Sequence, residues 1–507
     1  STAAAPTPAV VDPNVIDTIA ADGQAQVVVV ASGASLSTAK SAVAAAGGEV
    51  LLDLDIIEGF SATLTAEALE ALLQVDGVRA VTIDAEVTLA HGSADNPPAP
   101  DDFYDETVAA SPVQAKGYDG SGVGIAVIDT GVTEVPDLFG RLVGAVDFSG
   151  DGDDVDHFGH GTMIAGIAAG DGTASDGKFV GVAPGAHIIP VKIAGRNGAA
   201  DVSHVLAAMQ YVVSFKDDYN IRILNLSLGT DSTQPQALSP LNYAVERAWD
   251  SGIVVVVSGG NHGEDRKGRI PKPADDPLVI TVGATDSNGT VDRGDDEVAA
   301  YSSRGPSIAD GIEKPDIVAP GSHVVGTLAP DSMVDEEYPE AHIGEWYVQA
   351  SGTSFAAGVV SGAAALLLEA HPDWTPNEVK GAIISTAAAG PVGERNVDGY
   401  GALDVHAAFK LTDPPVANQG VTRSTGLGLV SDDRGSYEIE IVVDGVLSLL
   451  TGDTTAQNEL FDITEYTTTE WSTSQWYTSQ WYTSQWYTSQ WYTSQWYASQ
   501  WYTSQWY

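Results

Sequence analysis

From residue 123 to 128 the chain reads Val-Gly-Ile-Ala-Val-Ile, and from 253 to 257 Ile-Val-Val-Val-Val, without one polar side chain. Short uninterrupted apolar runs predict strands buried on both faces, as in a parallel sheet covered by helices. Residues 161–169 and 355–370 predict such covering helices, because their small and apolar side chains allow close packing over a sheet. Nearer the N-terminus the elements shorten. Residues 27–30 predict a strand, 35–46 a small amphipathic helix stopped by Gly47-Gly48, 49–54 and 60–65 two strands, 66–74 a helix and 78–83 a last strand. That β-α-β-β-α-β order is a ferredoxin-like pattern. After Pro414-Pro415 the pattern weakens to a β-like stretch over 437–450, broken at Asp444-Gly445, and then to a pentapeptide repeat. Seven Ser-Gln-Trp-Tyr units end at Tyr477, Tyr482, Tyr487, Tyr492, Tyr497, Tyr502 and Tyr507.

These shifts divide the chain into an N-terminal segment (1–23), a small α+β domain (24–91), a linker (92–110) containing Asp95-Asn96-Pro97-Pro98-Ala99-Pro100, a main α/β domain (111–411), a small β-like region (412–470) and the repeat tail (471–507). The main domain is predicted to have three layers around a mainly parallel sheet, and it is long enough to bury an ample core. Lys plus Arg number 22 against 69 for Asp plus Glu, a net charge of −47, so nucleic acid and anionic membranes are not expected partners. There is no cysteine, so disulfides contribute nothing. No apolar run is read as a membrane span, and the helix over 355–370, which comes closest, reads as a core helix. The chain begins with Ser1 rather than Met, and a secreted or cell-surface location is expected.

Three short islands carry chemistry: Ile128-Asp129-Thr130-Gly131, Gly159-His160-Gly161-Thr162 and Gly352-Thr353-Ser354-Phe355-Ala356. Each has a plain structural reading when taken alone, as a turn cap, a structural His or a helix start. Together they supply an acid, a base and a nucleophile. Asp129 ends an apolar strand, where open α/β sheets place their ligands. Ser354 opens an apolar helix, where backbone N–H groups face developing negative charge. A Ser hydroxyl is a poor nucleophile until a base takes its proton, neutral His suits that task near pH 7, and a buried carboxylate holds the imidazole. The second buried strand leads into Ser258-Gly259-Gly260-Asn261, where glycines permit close backbone approach and Asn261 offers an amide donor to an oxyanion.

With these motifs in that order, the chain resembles the subtilisin-like serine peptidases over about residues 111–411. The resemblance implies a serine endopeptidase made as a self-processing zymogen and acting on protein or peptide substrates, with no cofactor required for chemistry. Asp129 is implied to orient, His160 to act as general base and acid, Ser354 to attack and Asn261 to stabilise the oxyanion. Ser227, Leu228 and Gly229 resemble the family's substrate-lining strand, with Gly259 and Gly260 completing the cleft. The small α+β domain resembles the family's inhibitory propeptide, and cleavage is expected between about Thr88 and Ala94. Met163 and Gly358 depart from the family pattern, in which His and Pro are common, and a less rigid helix around Gly358 is expected.

Arg266, Lys267, Arg269 and Lys272 make a basic loop; Arg269 falls near the base of the primary specificity pocket in the resemblance, so acidic residues before the scissile bond are one expectation. Pairing with Glu264, Asp265, Asp275 and Asp276 is the other. Asp137 matches a carboxylate that binds calcium in many relatives, making a structural calcium an expectation, and the Asp151-Gly152-Asp153-Asp154 run is oxygen-rich enough to attract the same ion. The aromatic tail calls for a cell-wall, glycan or self-association partner, or else is low-complexity chain that recognises nothing in particular. A peptidase-like scaffold that merely presents this tail is the rival reading of the whole, separated from an enzyme by casein hydrolysis.

Overall fold

A computed structural model of the chain describes residues 9–84, 86–89, 93–94, 104–230, 232–263, 269–433, 439–443 and 446–450. The repeat tail, the proline-rich linker, Arg266 and Lys267 lie outside the described residues.

Strands β1 (Val10–Val11), β2 (Gln24–Ala31), β3 (Glu49–Leu54), β4 (Gly59–Thr65) and β5 (Val78–Ile83) form one sheet in the order β1-β5-β2-β4-β3. Helices α1 (Pro13–Asp22), α2 (Leu36–Ala45) and α3 (Ala66–Leu73) belong to the same unit. The unit therefore starts earlier than residue 24, the boundary expected from the pattern. Asp12 caps α1 through the Asn14 N–H at 2.9 Å, and β1 pairs parallel to β5. A two-residue strand carries no periodicity, which is why it escaped the sequence pattern.

Strand β2 is apolar on both faces for a structural reason. Val27 and Val29 join Phe60, Leu64 and Leu72 in the unit's own core, whereas Val28 and Val30 join the core of the main domain. Gln210 clamps the junction: its Nε2 donates to the Asp53 carbonyl at 2.8 Å and its Oε1 accepts from the Ile56 N–H at 3.2 Å. An antiparallel strand normally shows one face to water, so the continuous valine run marks a second covered face.

Beyond it lie β6 (Glu86–Leu89) and β7 (Ser93–Ala94), and then the main sheet. The latter comprises β8 (Gly124–Asp129), β9 (Val146–Asp147), β10 (His187–Lys192), β12 (Ile221–Leu226), β14 (Val254–Ser258), β15 (Ile280–Asp286), β16 (Glu297–Val298) and β17 (Ile317–Pro320). Its order is β16-β15-β14-β12-β8-β10-β9, with β17 also on β15, and every pairing except β15/β16 is parallel. Two short strands, β11 (Ala199–Asp201) and β13 (Leu228–Gly229), stand outside it, as do β18 (Val324–Thr327), β19 (His342–Ile343) and β20 (Tyr347–Ser351).

Helices α4 (His160–Ala169) and α7 (Thr353–Ala370) pack together and on the sheet, while α5 (Val202–Ser214) and α6 (Pro240–Asp250) pair with each other and contact it separately. By length and composition α7 could cross a membrane, with mean hydropathy 1.5, but 89% of it is buried inside the protein. It is a core helix. Its glycines are not equivalent. A Cβ on Gly362 would sit 2.7 Å from the Ala168 carbonyl oxygen, whereas one on Gly358 would keep 3.4 Å from Ile164 O. Gly358→Ala is therefore expected to stabilise by about 0.5–1 kcal/mol through helix propensity, and Gly362→Ala to cost about 1–3 kcal/mol by overpacking. Thermal midpoints of the two variants, moving in opposite directions, check this.

After residue 411 the chain runs back over the main domain as a strap ending in the short helix Val430–Asp433, which touches α6 and β5. A two-stranded hairpin, Ile439–Val443 with Val446–Leu450, follows.

Candidate active site

Asp129 is the last residue of β8 and fully buried. Its Oδ1 accepts from the Thr130 N–H at 2.8 Å and from the Thr130 hydroxyl at 3.2 Å. His160 Nδ1 donates to the same carboxylate, 2.8 Å from Oδ1 and 3.0 Å from Oδ2. His160 begins α4 after a turn at Gly159, whose φ of 107° favours glycine. The turn is held by Asp156, a fully buried carboxylate that accepts from the N–H groups of Phe158 (3.1 Å), Gly159 (2.7 Å) and Thr162 (2.8 Å) and from the Thr162 hydroxyl (2.7 Å). Burial pushes the Asp156 carboxyl above its ordinary range even against these donors. Gly161 is required by space: a Cβ there would lie 2.2 Å from the Gly131 carbonyl oxygen.

Ser354 is the second residue of α7 and fully buried. The ring of its neighbour Phe355 lies 5.7 Å from the His160 ring, which Phe158 flanks at 6.4 Å. Asn261 reaches the same place from the end of β14. Its Oδ1 accepts from the Thr353 N–H at 3.0 Å and the Thr353 hydroxyl at 2.8 Å, which turns the amide Nδ2 away from Thr353. The Gly260 N–H donates to the Thr353 hydroxyl oxygen at 3.1 Å, and the Gly259 N–H to Val282 O at 2.8 Å. Ser227 Oγ donates to the Ser354 carbonyl at 3.3 Å and accepts from Asn225 Nδ2 at 2.9 Å. The four candidate residues thus converge from β8, α4, α7 and the β14 exit.

A groove leads to this point, and the chain's own backbone occupies it. Asp84 fixes the approach by accepting from the Ser203 N–H, at the start of α5, at 2.9 Å. β6 then lies antiparallel between β11 and β13, with Thr88 opposite both Ala199 and Gly229 and Leu89 opposite Leu228. β7 continues on the far side, pairing Ser93 with Ser351 and Ala94 with Ala350 on β20. β20 runs directly into Gly352-Thr353-Ser354.

A profile of the Subtilase family (peptidase S8) matches residues 120–428. The chain belongs to the subtilase family. It is similar to the serine protease AprX of Bacillus subtilis, 36% identical over 353 residues that cover 68% of this chain and 77% of that protein. Subtilisin Savinase of Lederbergia lenta is 33% identical over 60% of this chain and 96% of its own. Among solved structures, fervidolysin from Fervidobacterium pennivorans, described as a keratinolytic enzyme related to subtilisin, aligns with a TM-score of 0.63 at 25% identity. That alignment covers 86% of this chain and 65% of fervidolysin's. The protein is a serine endopeptidase of this family, acts on protein substrates, and needs no cofactor for its chemistry.

The residues around Asp137 do not fit a calcium ion. Asp137 Oδ1 accepts from the Ala174 N–H and Oδ2 from the Tyr347 hydroxyl, both at 2.7 Å, while the Arg141 guanidinium donates to the Asp137 carbonyl. Each carboxylate oxygen already accepts one protein donor, which competes with a cation. Asp151 and Asp153 likewise hold the fully buried Lys192 ammonium, at 2.9 and 3.2 Å. Among the described residues no cluster of three His, Asp or Glu side chains is placed to hold a metal. The basic loop is also altered by the fold. Lys272 is fully buried and paired with Asp275 at 2.6 Å, so it is wall rather than pocket cation, and Arg269 is half-buried and engaged.

Proposed function

We propose that Ser354 is the nucleophile of this endopeptidase, His160 its general base and acid, Asp129 the carboxylate that orients and stabilises the imidazole, and Asn261 Nδ2 the side-chain donor to the oxyanion. The buried Nδ1–carboxylate bond of 2.8 Å between His160 and Asp129 carries this reading, because it fixes the tautomer in which Nε2 carries no proton and can accept that of the serine. Ser354 at the α7 N-terminus adds backbone N–H groups to the oxyanion site. Acyl transfer then follows: the serine oxygen bonds to the substrate carbonyl carbon, its proton passes to His160 and on to the leaving amine, and water repeats the sequence to release the acid. Casein hydrolysis that a serine-directed fluorophosphonate abolishes tests the reading; hydrolysis untouched by the reagent contradicts it. Asn261→Ala is expected to lower kcat by about 10²–10³-fold with little change in KM, the range known for the corresponding loss in subtilisin. Steady-state kinetics on a peptide substrate check it.

The unit over 10–83 acts as an inhibitory propeptide, and the protein is a zymogen that cuts itself. Support comes from β6, whose backbone runs antiparallel between β11 and β13 as an extended peptide substrate is bound. The strand pairings on either side support a cut between about Thr88 and Ala94. Secretion, with the Trp-Tyr tail binding cell wall, glycan or another copy of itself, completes the proposal.

A further inference from the structure

The loop over residues 230–239 links the substrate strand β13 to α6, and its inner end forms one wall of the groove. Thr230 pairs with Lys272 through mutual backbone bonds of 3.0 and 2.8 Å, and Gly229 packs so closely on Pro271 that a Cβ would come within 2.7 Å. On its outer side the loop is stitched to the C-terminal strap. Leu238 O accepts from the Gly428 N–H at 2.7 Å, Ala237 O from the Thr425 N–H at 2.8 Å, and Ser239 O from the Ser424 hydroxyl at 2.8 Å.

The strap ends in Asp433, whose side chain is fully buried. Its Oδ1 accepts from Gln234 Nε2 at 2.6 Å, and its Oδ2 from the Ser239 hydroxyl at 2.9 Å and the Leu241 N–H at 3.0 Å. The Asp433 carbonyl accepts from the Thr230 hydroxyl, one residue beyond the substrate strand, and the Asp432 carbonyl accepts from the Ser232 hydroxyl. One residue thus ties together both ends of the wall loop and the start of α6. It lies outside the region the family profile matches, which stops at residue 428.

A buried carboxylate is retained only where its lone pairs are satisfied, and here the donors that satisfy it all come from the wall loop and the helix it enters. Without the Asp433 carboxylate the Ser239 hydroxyl and the Leu241 N–H lose this acceptor and Gln234 Nε2 keeps only the Leu429 carbonyl at 3.1 Å, so the loop has to move to find water. The movement reaches Thr230 and therefore β13, but not the Asp129–His160 bond, which rests on other elements.

We propose that Asp433 is a positioning residue for substrate recognition: it holds the β13 wall so that an extended peptide can pair with Leu228 and Gly229. This rests on the groove assigned above, and it makes the C-terminal strap part of the substrate-binding apparatus, with the repeat tail attached directly to it.

The test uses the full chain after self-processing, carrying Asp433→Ala, with enzyme concentration set by active-site titration. Two substrates are compared, one with four residues before the scissile bond and one with a single residue, alongside the rate of labelling by a small fluorophosphonate. The expected result is a rise of about tenfold in KM for the longer substrate with kcat within about twofold, and little change for the short substrate or for labelling. Asp433→Asn is expected to behave similarly, because its amide N–H meets groups that already donate. Adding Gln234→Glu gives that N–H an acceptor and is expected to recover part of the loss. Thr230→Val, which removes one tie only, is expected to raise KM for the long substrate by a smaller factor of about threefold. Equal losses on both substrates and in labelling would overturn the proposal, since that is general structural damage. Unchanged KM for the long substrate would overturn it as well. Failure of the unsubstituted enzyme to label would instead contradict the nucleophile assignment.

Discussion

Ser354→Ala is expected to leave the chain uncut, with the unit over residues 10–83 still covalently attached, and to lower kcat by about 10⁶-fold, the loss that removing the nucleophile costs in subtilisin. The two effects share one cause. The groove is occupied by β6, and the backbone on either side of residues 90–92 is pinned to β13 and β20, so on the proposed zymogen reading the protein's first peptide substrate is itself. Removing Oγ leaves those pairings intact, because they are backbone bonds, and removes only the bond-making atom. Gel mobility and intact mass check it: wild type shortens, the variant does not. A variant that still shortens at the wild-type rate, in the absence of any other peptidase, would show that another group cuts.

The second large effect is expected from Asp129→Asn, which should lower kcat by about 10⁴-fold while leaving KM nearly unchanged. Shape is conserved, so folding is not the issue. Thr130 donates twice to Oδ1, which keeps the new amide oxygen at that position and turns the NH₂ toward His160 Nδ1. Nδ1 then has to accept rather than donate, the ring proton moves to Nε2, and the face toward Ser354 no longer takes a proton. The variant, matured with a trace of wild-type enzyme that is afterwards removed, can be assayed for kcat and KM on one peptide substrate. A kcat loss below tenfold would mean that the carboxylate does not set the tautomer.

Much of the site was legible because its signals are local. β8 and β14 stand out as unbroken apolar runs, since each is covered on both faces. His160 and Ser354 are flanked by small residues because Gly131 O, Thr327 and Ala168 O crowd the helices that carry them. What escaped depends on partners far along the chain. Asp137 reads as a metal ligand in isolation, yet its oxygens are satisfied by Ala174 and by Tyr347, 210 positions away. Pairing of Lys272 with Asp275 is one of the two expectations, but the burial of that pair was not legible. Asp156 carries no periodic signature, and only the Gly159 turn shows that its four acceptor bonds shape the approach to His160. Asp433 is the extreme case: its donors lie about 200 residues upstream, and the strap that delivers it is neither apolar nor periodic. Strand β1, with two residues, is likewise visible only through its pairing with β5.

The most direct test of the central claim is mass mapping of the matured protein after reaction with a fluorophosphonate. One adduct per chain is expected, on the peptide containing Ser354, with casein hydrolysis lost in proportion to labelling and with labelling slowed in the Asp129→Asn variant. An adduct on a different serine, or full casein hydrolysis by a chain labelled at Ser354, would contradict the assignment of Ser354 as the nucleophile.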